Sequence, residues 1–295
     1  MNFKAVPSPW LKWVIFALLA MVWGSSFILM KRGLASFGPH HIGLMRIGIA
    51  FLFTLIYAFK RLKEYRPSDF WPLAIVGFFG NGIPYFLFPM AVRKIDSSVV
   101  GMLNSLVPLF TMAIGVAFFG KTVRWLQVLG VFVGLSGAAF LLSPWNTTAD
   151  QELLYGLLPI LGTVMYAISV NTIGQKLAHL SPMALTLFSF AIVGIPALIL
   201  LFAATDFVEI VSTQPKAWQS FGYVLILGTL SSSISVVLFN RLIHMTSPIF
   251  ASTITYFVPI VALMWGAFDG EHIGWLHFSG AGLILIGVYL VNRKR

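Results

Sequence analysis

Ten apolar runs, each about twenty residues long, follow one another along this 295-residue chain with only short polar connections between them. They fall at roughly 10–30, 40–59, 70–92, 97–119, 124–142, 153–173, 181–204, 218–240, 247–267 and 274–292. Such a run suffices for an α-helix to cross about 30 Å of hydrocarbon, and within lipid a helix satisfies its own backbone hydrogen bonds. The chain is therefore held to an all-α integral membrane fold of ten transmembrane helices. Only 9% of its residues are charged, against about 25% in a soluble domain, and the loops leave no room for a separate soluble domain. No cysteine is present, which excludes disulfides and thiol chemistry.

The formal net charge of +10 raises the question of nucleic acid, but its distribution answers otherwise. With an even number of spans both chain ends lie on one side. That side carries thirteen Lys and Arg residues, among them Lys60, Arg61, Lys63, Arg66 and the closing Arg-Lys-Arg, and the other side carries five. Asp150, Glu152, Asp206, Glu209, Asp269 and Glu271 show the opposite bias. By the positive-inside rule both termini are cytoplasmic, and no nucleic-acid partner is expected. Eight of the nine tryptophans fall near span ends, where indoles favour the interface, and Trp23 lies deep in span 1. Lys4 and Lys12 ahead of an apolar run could mark a cleavable signal peptide. The run is long for one and its pattern returns later, so it is read as part of the fold.

The chain repeats itself. A shift of 150 lays Gly120, Trp125, Gly130, Leu135 and Gly137 on Gly270, Trp275, Gly280, Leu285 and Gly287. A shift of 151 lays Pro108 on Pro259, and one of 143 lays Trp23 on Tyr166. The unit holds five spans, dividing the chain into 1–145 and 146–295. Because five is odd, the second unit enters the membrane upside down. Two inverted five-helix repeats are a transporter architecture, with the substrate site near mid-bilayer at the repeat interface.

Helical spacing then sorts the polar residues by face. Gly77, Asn81, Pro84, Tyr85 and Phe88 share a stripe in span 3, and Gly101, Asn104, Ser105 and Pro108 share one in span 4. The repeat carries both across, to Gly228, Ser231, Ser232 and Ser235 in span 8 and to Ser252, Thr255, Tyr256 and Pro259 in span 9. Breaks at Gly82, Pro84, Pro108 and Pro259 free backbone groups that cannot face lipid but can face a wet cavity. The bland alternative is that small and polar residues let helices pack closely. The four stripes together favour a central cavity. Asn81, Tyr85 and Asn104 lead the substrate-binding candidates, with Ser105, Ser232, Ser235, Thr255, Tyr256, Tyr166 and Asn171 beside them; Trp23 either caps the cavity or merely packs.

Arg46 is the one charge placed within a span, about 9 Å below the outer surface at 1.5 Å per residue. It anchors a substrate carboxylate or ties to carbonyls or headgroups, and the tie is preferred. No Asp or Glu lies in the middle of a span, so proton or sodium coupling through a buried carboxylate loses support. The pattern predicts no cofactor and no metal.

Rival classes are weaker. Gly134-Leu135-Ser136-Gly137 matches the serine motif of intramembrane proteases, yet all six histidines sit at or near span ends and none is at hand as a base. The same stretch reads as a GxxxG packing face, within the chain or in a homodimer through span 5 or span 10. A channel would need a continuous pore, and nothing resembles a selectivity filter.

The stretches VWGSSFILMKRGL, LMRIGIAFL and NSLVPLFTMAIGVAFFGKTVRWLQVLGVFVGLSGAAFLL, with YFVPIVALMWGAFDGEHIGWLHFSGAGLILIGVYLV in the second half, resemble the EamA repeat of the drug/metabolite transporter superfamily. The likeness runs over nearly the whole chain, and YddG-type amino-acid exporters are similar in kind. The resemblance implies ten helices, cytoplasmic termini in a bacterial inner membrane, and export of amino acids or related metabolites from a central cavity by alternating access. Drugs, nucleobases or sugars are the alternative solutes. The family's Trp-Gly pair falls on Trp23 and Gly24, its span-two arginine on Arg46 and its prolines on Pro108 and Pro259. Its acidic residue after the glycine closing span four is present as Glu271 in the second half and replaced by Lys121 in the first.

Overall fold

The computed structural model describes residues 10–120, 124–141 and 149–292. Among the described residues ten helices account for the apolar runs, eight of them long and apolar enough to cross a membrane and two, α5 and α10, shorter: α1 Leu11–Gly33, α2 Pro39–Ala58, α3 Pro67–Val92, α4 Ser97–Phe119, α5 Trp125–Leu141, α6 Ala149–Lys176, α7 Pro182–Ala203, α8 Ala217–Met245, α9 Pro248–Phe268 and α10 Trp275–Asn292. A short helix, Phe207–Thr213, connects α7 to α8. Local chemistry sets the ends. Ser181 and Ser247 cap α7 and α9 by accepting the backbone N–H of Ala184 and Phe250, and a proline follows each as the first helical residue, where no N–H is needed. Gly120 and Gly270 close α4 and α9 with φ of 63° and 80°, left-handed values that cost a glycine little.

Four of the helices change pitch midway, at corresponding places in the two halves. Gly77–Gly82 of α3 and Leu227–Ile234 of α8 are wide π turns. Asn104–Leu106 of α4 and Thr253–Tyr256 of α9 are tight 3₁₀ turns. The glycines and Pro84 thus widen α3 rather than interrupt it. Pro84 lacks an N–H and would clash with the carbonyl of Gly80, and the wider turn lets Ile83 bond back to Phe78 instead, at 2.8 Å. In α8, which has no proline there, the Ser232 hydroxyl takes up the Leu227 carbonyl at 3.1 Å. Pro108 and Pro259 each stand second in the regular helix that follows a tight turn.

The bundle is organised around a middle. α2 packs mainly on α7, α6 on α3 and α4, and α1 on α8 and α9. α5 and α10 pack chiefly on one another, with fewer contacts to α4. Their glycine faces meet backbone to backbone: a Cβ on Gly287 would lie 2.4 Å from the Gly130 carbonyl, and one on Gly137 would lie 2.8 Å from that of Gly280. The GxxxG face is thus taken up within the chain, and Ser136 gives its hydroxyl proton to Val133 O at 2.8 Å. Large apolar residues cover the outside, among them Phe118, Phe132, Phe268 and Phe278. Trp10, Trp71, Trp125, Trp218 and Trp275 are exposed toward the helix ends, while Trp145 lies outside the described residues.

Candidate functional site

A cavity of about 880 Å³, its mouth included, opens between α1, α2, α3, α4, α6, α8 and α9; α5, α7 and α10 contribute nothing to its wall. The pitch changes explain how polar groups reach it. A wide or tight turn rotates the residues beyond it, and the four irregular helices bring in Asn81 and Tyr85 from α3, Asn104 from α4, Asn240 from α8 and Ser252 and Thr255 from α9.

Arg46 reaches the cavity from α2 and is 6% exposed. Its Nε donates to Ser232 Oγ at 2.7 Å, and its guanidinium lies over the Tyr85 ring with 3.7 Å to the centroid. No ion pair among the described residues includes Arg46. A desolvated guanidinium over an aromatic face gains about 2 kcal/mol, which offsets part of its burial without cancelling its charge. Its partners are a hydroxyl and a ring inside the protein, so the sequence-based preference for carbonyls or headgroups does not describe it.

Around Arg46 the wall is aromatic and neutral. Tyr166 stacks on Phe88, with centroids 5.7 Å apart and planes at 14°, and Trp23 packs against Phe239 at 5.0 Å. The Trp23 indole donates to Ser231 O at 3.0 Å, a carbonyl in the wide turn of α8. Asn81 donates to Ser189 Oγ at 3.0 Å, and Asn104 and Thr255 complete the sequence-predicted residues that line the space.

Five others lie elsewhere. Ser232 supports Arg46 from behind. Ser105 is turned onto its own helix, bonded to Met102 O at 2.5 Å. Asn171 holds α6 to α4 through Thr111 O at 2.9 Å. Ser235 is buried outside the lining. Tyr256 points outward to Val288 O of α10 at 3.4 Å. Ser105, Ser232, Ser235 and Tyr256 lie in or next to a tight or wide turn, which rotates them from the face a regular helix would give, whereas Asn171 stands on the regular helix α6 and is turned to α4 by packing.

Sequence reasoning missed Ser26, Ser169 and Asn240, and it set Ser252 on the span 9 stripe without counting it among the binding candidates; all four line the cavity. Asn240 is the last residue of the apolar run 218–240, beside Arg241, where a polar side chain is ordinary, whereas α8 runs on to Met245 and places it inside the bundle. The stripe through Ser232, continued in steps of four, would have reached it.

A second polar cluster ties the bundle at the end carrying neither chain terminus. Glu271, in the loop between α9 and α10, accepts from Lys31 Nζ at 2.8 Å, Ser97 Oγ at 2.6 Å and the backbone N–H groups of Ser97 and Ser98 at 3.1 Å. Burial alone would raise its pKa, but these hydrogen bonds from Lys31, Ser97 and Ser98 outweigh that and hold it at about 2. Asp269 pairs with Lys31 at 2.7 Å and with Arg32. Loop, α1 and the start of α4 are thereby joined. Lys121, the counterpart of Glu271, lies outside the described residues.

For a metal, the best-arranged described residues are His40, His41 and Asp206, whose ligand atoms lie within 4.8 Å of one another. His41 Nδ1 accepts the Gly38 N–H at 3.3 Å, which puts the ring proton on Nε2, 2.9 Å from Asp206. In that tautomer the ring offers the neighbouring carboxylate a proton rather than a metal a lone pair. These residues lie outside the cavity lining.

Comparison with known proteins places these features in context. The model of the EamA-like transporter family matches residues 11–143 and 153–293. The inner membrane transporter YedA of Escherichia coli K12, itself uncharacterized, is 26% identical over 94% of this chain and 89% of its own length. A "probable terminal-alkyne amino-acid exporter" of Streptantibioticus cattleyicolor is 24% identical over 94% and 92%. A "probable amino-acid metabolite efflux pump" of Escherichia coli K12 is 25% identical over 94% and 93%. A solved crystal structure shares the fold, with a TM-score of 0.65 at 17% identity over 95% of both chains.

Proposed function

The chain belongs to the EamA-like transporter family, and on that premise we propose that it exports amino acids with large apolar side chains across a bacterial inner membrane. The observation that carries this reading is Arg46, a buried cation with no carboxylate partner among the described residues, facing a cavity of aromatic rings and neutral amides. A solute carboxylate would neutralise it through charge-assisted hydrogen bonds, and the aromatic wall would take an apolar side chain. The names of the two amino-acid exporting relatives support the same class.

The charge distribution supports cytoplasmic termini. The pitch changes recurring in α3 and α8 and in α4 and α9, five helices apart, support two inverted halves, 1–145 and 146–295, exchanging conformations in alternating access. Among the described residues no Asp or Glu lines the cavity, so exchange or downhill movement fits better than coupling through a titrating carboxylate.

The test is counterflow in proteoliposomes, with labelled phenylalanine outside and unlabelled amino acids inside. Saturable exchange that falls about 10–100-fold in apparent affinity on Arg46→Gln is expected, the size of one charge-assisted interaction. Folded protein without amino-acid exchange would redirect the reading to drugs, nucleobases or sugars. Flux that never saturates would indicate a channel.

A further inference from the structure

Two amides of the cavity wall have their donor ends committed to the protein and their acceptor ends left over. Asn240 lines the cavity and is 1% exposed. Its Nδ2 donates to Thr186 Oγ1 at 2.9 Å. A threonine hydroxyl has one proton, and Thr186 gives that proton to Pro182 O at 2.8 Å. The hydroxyl can therefore only accept from Asn240, which fixes the amide's orientation and leaves its Oδ1 as the free end. That oxygen is buried and has no partner. A buried acceptor left unpaired is unfavourable.

Asn81 is held by the same logic. Its Nδ2 donates to Ser189 Oγ, whose own proton goes to Thr186 O at 3.1 Å. Ser189 and Thr186 stand three residues apart on α7, about 4.5 Å along the helix. The two amides, both on residues that line the cavity, are thereby anchored at neighbouring levels of α7. Three of the nearby hydroxyls, Ser26, Ser252 and Thr255, spend their protons on carbonyls of their own helices. Arg46 belongs to the same wall, because Tyr85, the ring beneath it, follows Asn81 by four residues, about 6 Å along α3.

An acceptor pair with no cation of its own complements a group carrying several N–H donors and a positive charge. We propose that Asn240 Oδ1 and Asn81 Oδ1 form an ammonium subsite, which selects solutes with a free primary amine one helical turn from the carboxylate site at Arg46. This deepens the exporter reading and rests on it only for the identity of the whole solute.

The experiment uses purified full-length protein in amine-free potassium phosphate, with binding read by quenching of tryptophan fluorescence. The probes are phenylethylamine, which has the amine alone, 3-phenylpropionate, which has the carboxylate alone, and phenylalanine. Asn240→Leu and Asn81→Leu should each weaken phenylethylamine and phenylalanine at least tenfold and leave 3-phenylpropionate within twofold. Arg46→Gln should do the reverse with the two single-headed probes. Should a leucine variant fail to fold, Asn240→Asp keeps the shape, adds a negative charge and should tighten phenylethylamine. Equal weakening of all three probes by the asparagine variants would overturn the subsite, as would a wild type that does not bind phenylethylamine. Counterflow separates the two readings. Phenylalanine exchange indifferent to Asn240 would sink the subsite and leave the exporter standing. Asn240-dependent binding of phenylethylamine without phenylalanine exchange would do the opposite.

Discussion

Replacing Glu271 with glutamine would remove the charge that joins three helix ends while changing almost no volume. The wild-type carboxylate is held at a pKa of about 2 against an ordinary 4.5. Its side chain is only 2% exposed, so solvent does not screen much of the effect. A separation of that size is worth about 3 kcal/mol at 1.36 kcal/mol per unit. The sign follows from the direction. A carboxylate with a depressed folded pKa stabilises fully above its unfolded value, and this stability is lost as pH falls toward the folded one. Thermal unfolding of the wild type in detergent should therefore hold level from pH 7 to about 5 and fall between about 4.5 and 2. Glu271→Gln should be less stable at pH 7 by about 2–3 kcal/mol. Lys31 keeps Asp269 as a partner, so the loss stays below the 3–5 kcal/mol typical of a fully broken buried pair. The variant should also lose most of the acid-dependent decline. Asp269 shares Lys31, so the comparison is made in the Asp269→Asn background as well. If Glu271→Gln matches the wild type at pH 7 and keeps an identical acid decline, the hydrogen bonds to Lys31, Ser97 and Ser98 do not stabilise the fold as argued.

Other outcomes follow from single contacts. Arg46→Lys keeps a charge but loses the planar stacking on Tyr85, and the counterflow KM for phenylalanine should rise about tenfold. Trp23→Phe removes the donor to Ser231 O and should lower thermal stability by about 0.5–1.5 kcal/mol. Gly287→Ala sets a Cβ 2.4 Å from backbone atoms of α5, and thermal unfolding should show a loss of about 1–3 kcal/mol. Gly222→Ala, in α8 with nothing within 4 Å of the new methyl, is the control and should be neutral or stabilising by about 0.5–1 kcal/mol.

The amino-acid sequence by itself determined that ten helices cross a membrane, because a bilayer of fixed thickness demands apolar runs of fixed length and lipid permits no unpaired backbone. It also determined which helices carry inward polar faces, since Asn81, Tyr85, Asn104 and Thr255 fall on stripes that a 3.6-residue period makes visible. Tertiary structure alone decided which members of each stripe reach the cavity. Wide and tight turns rotate the helix by a fraction of a turn, a displacement no periodicity argument carries, and Ser105, Ser235 and Tyr256 were turned away by it. It decided as well what Arg46 meets. Ser232 lies 186 residues away in sequence, and only the packing of α2 against α8 brings its hydroxyl to the guanidinium. The orientation of Asn240 is of the same kind. It depends on a proton that Thr186 has already given to Pro182, and a chain of hydrogen bonds linking two helices has no signature in the residues taken one by one.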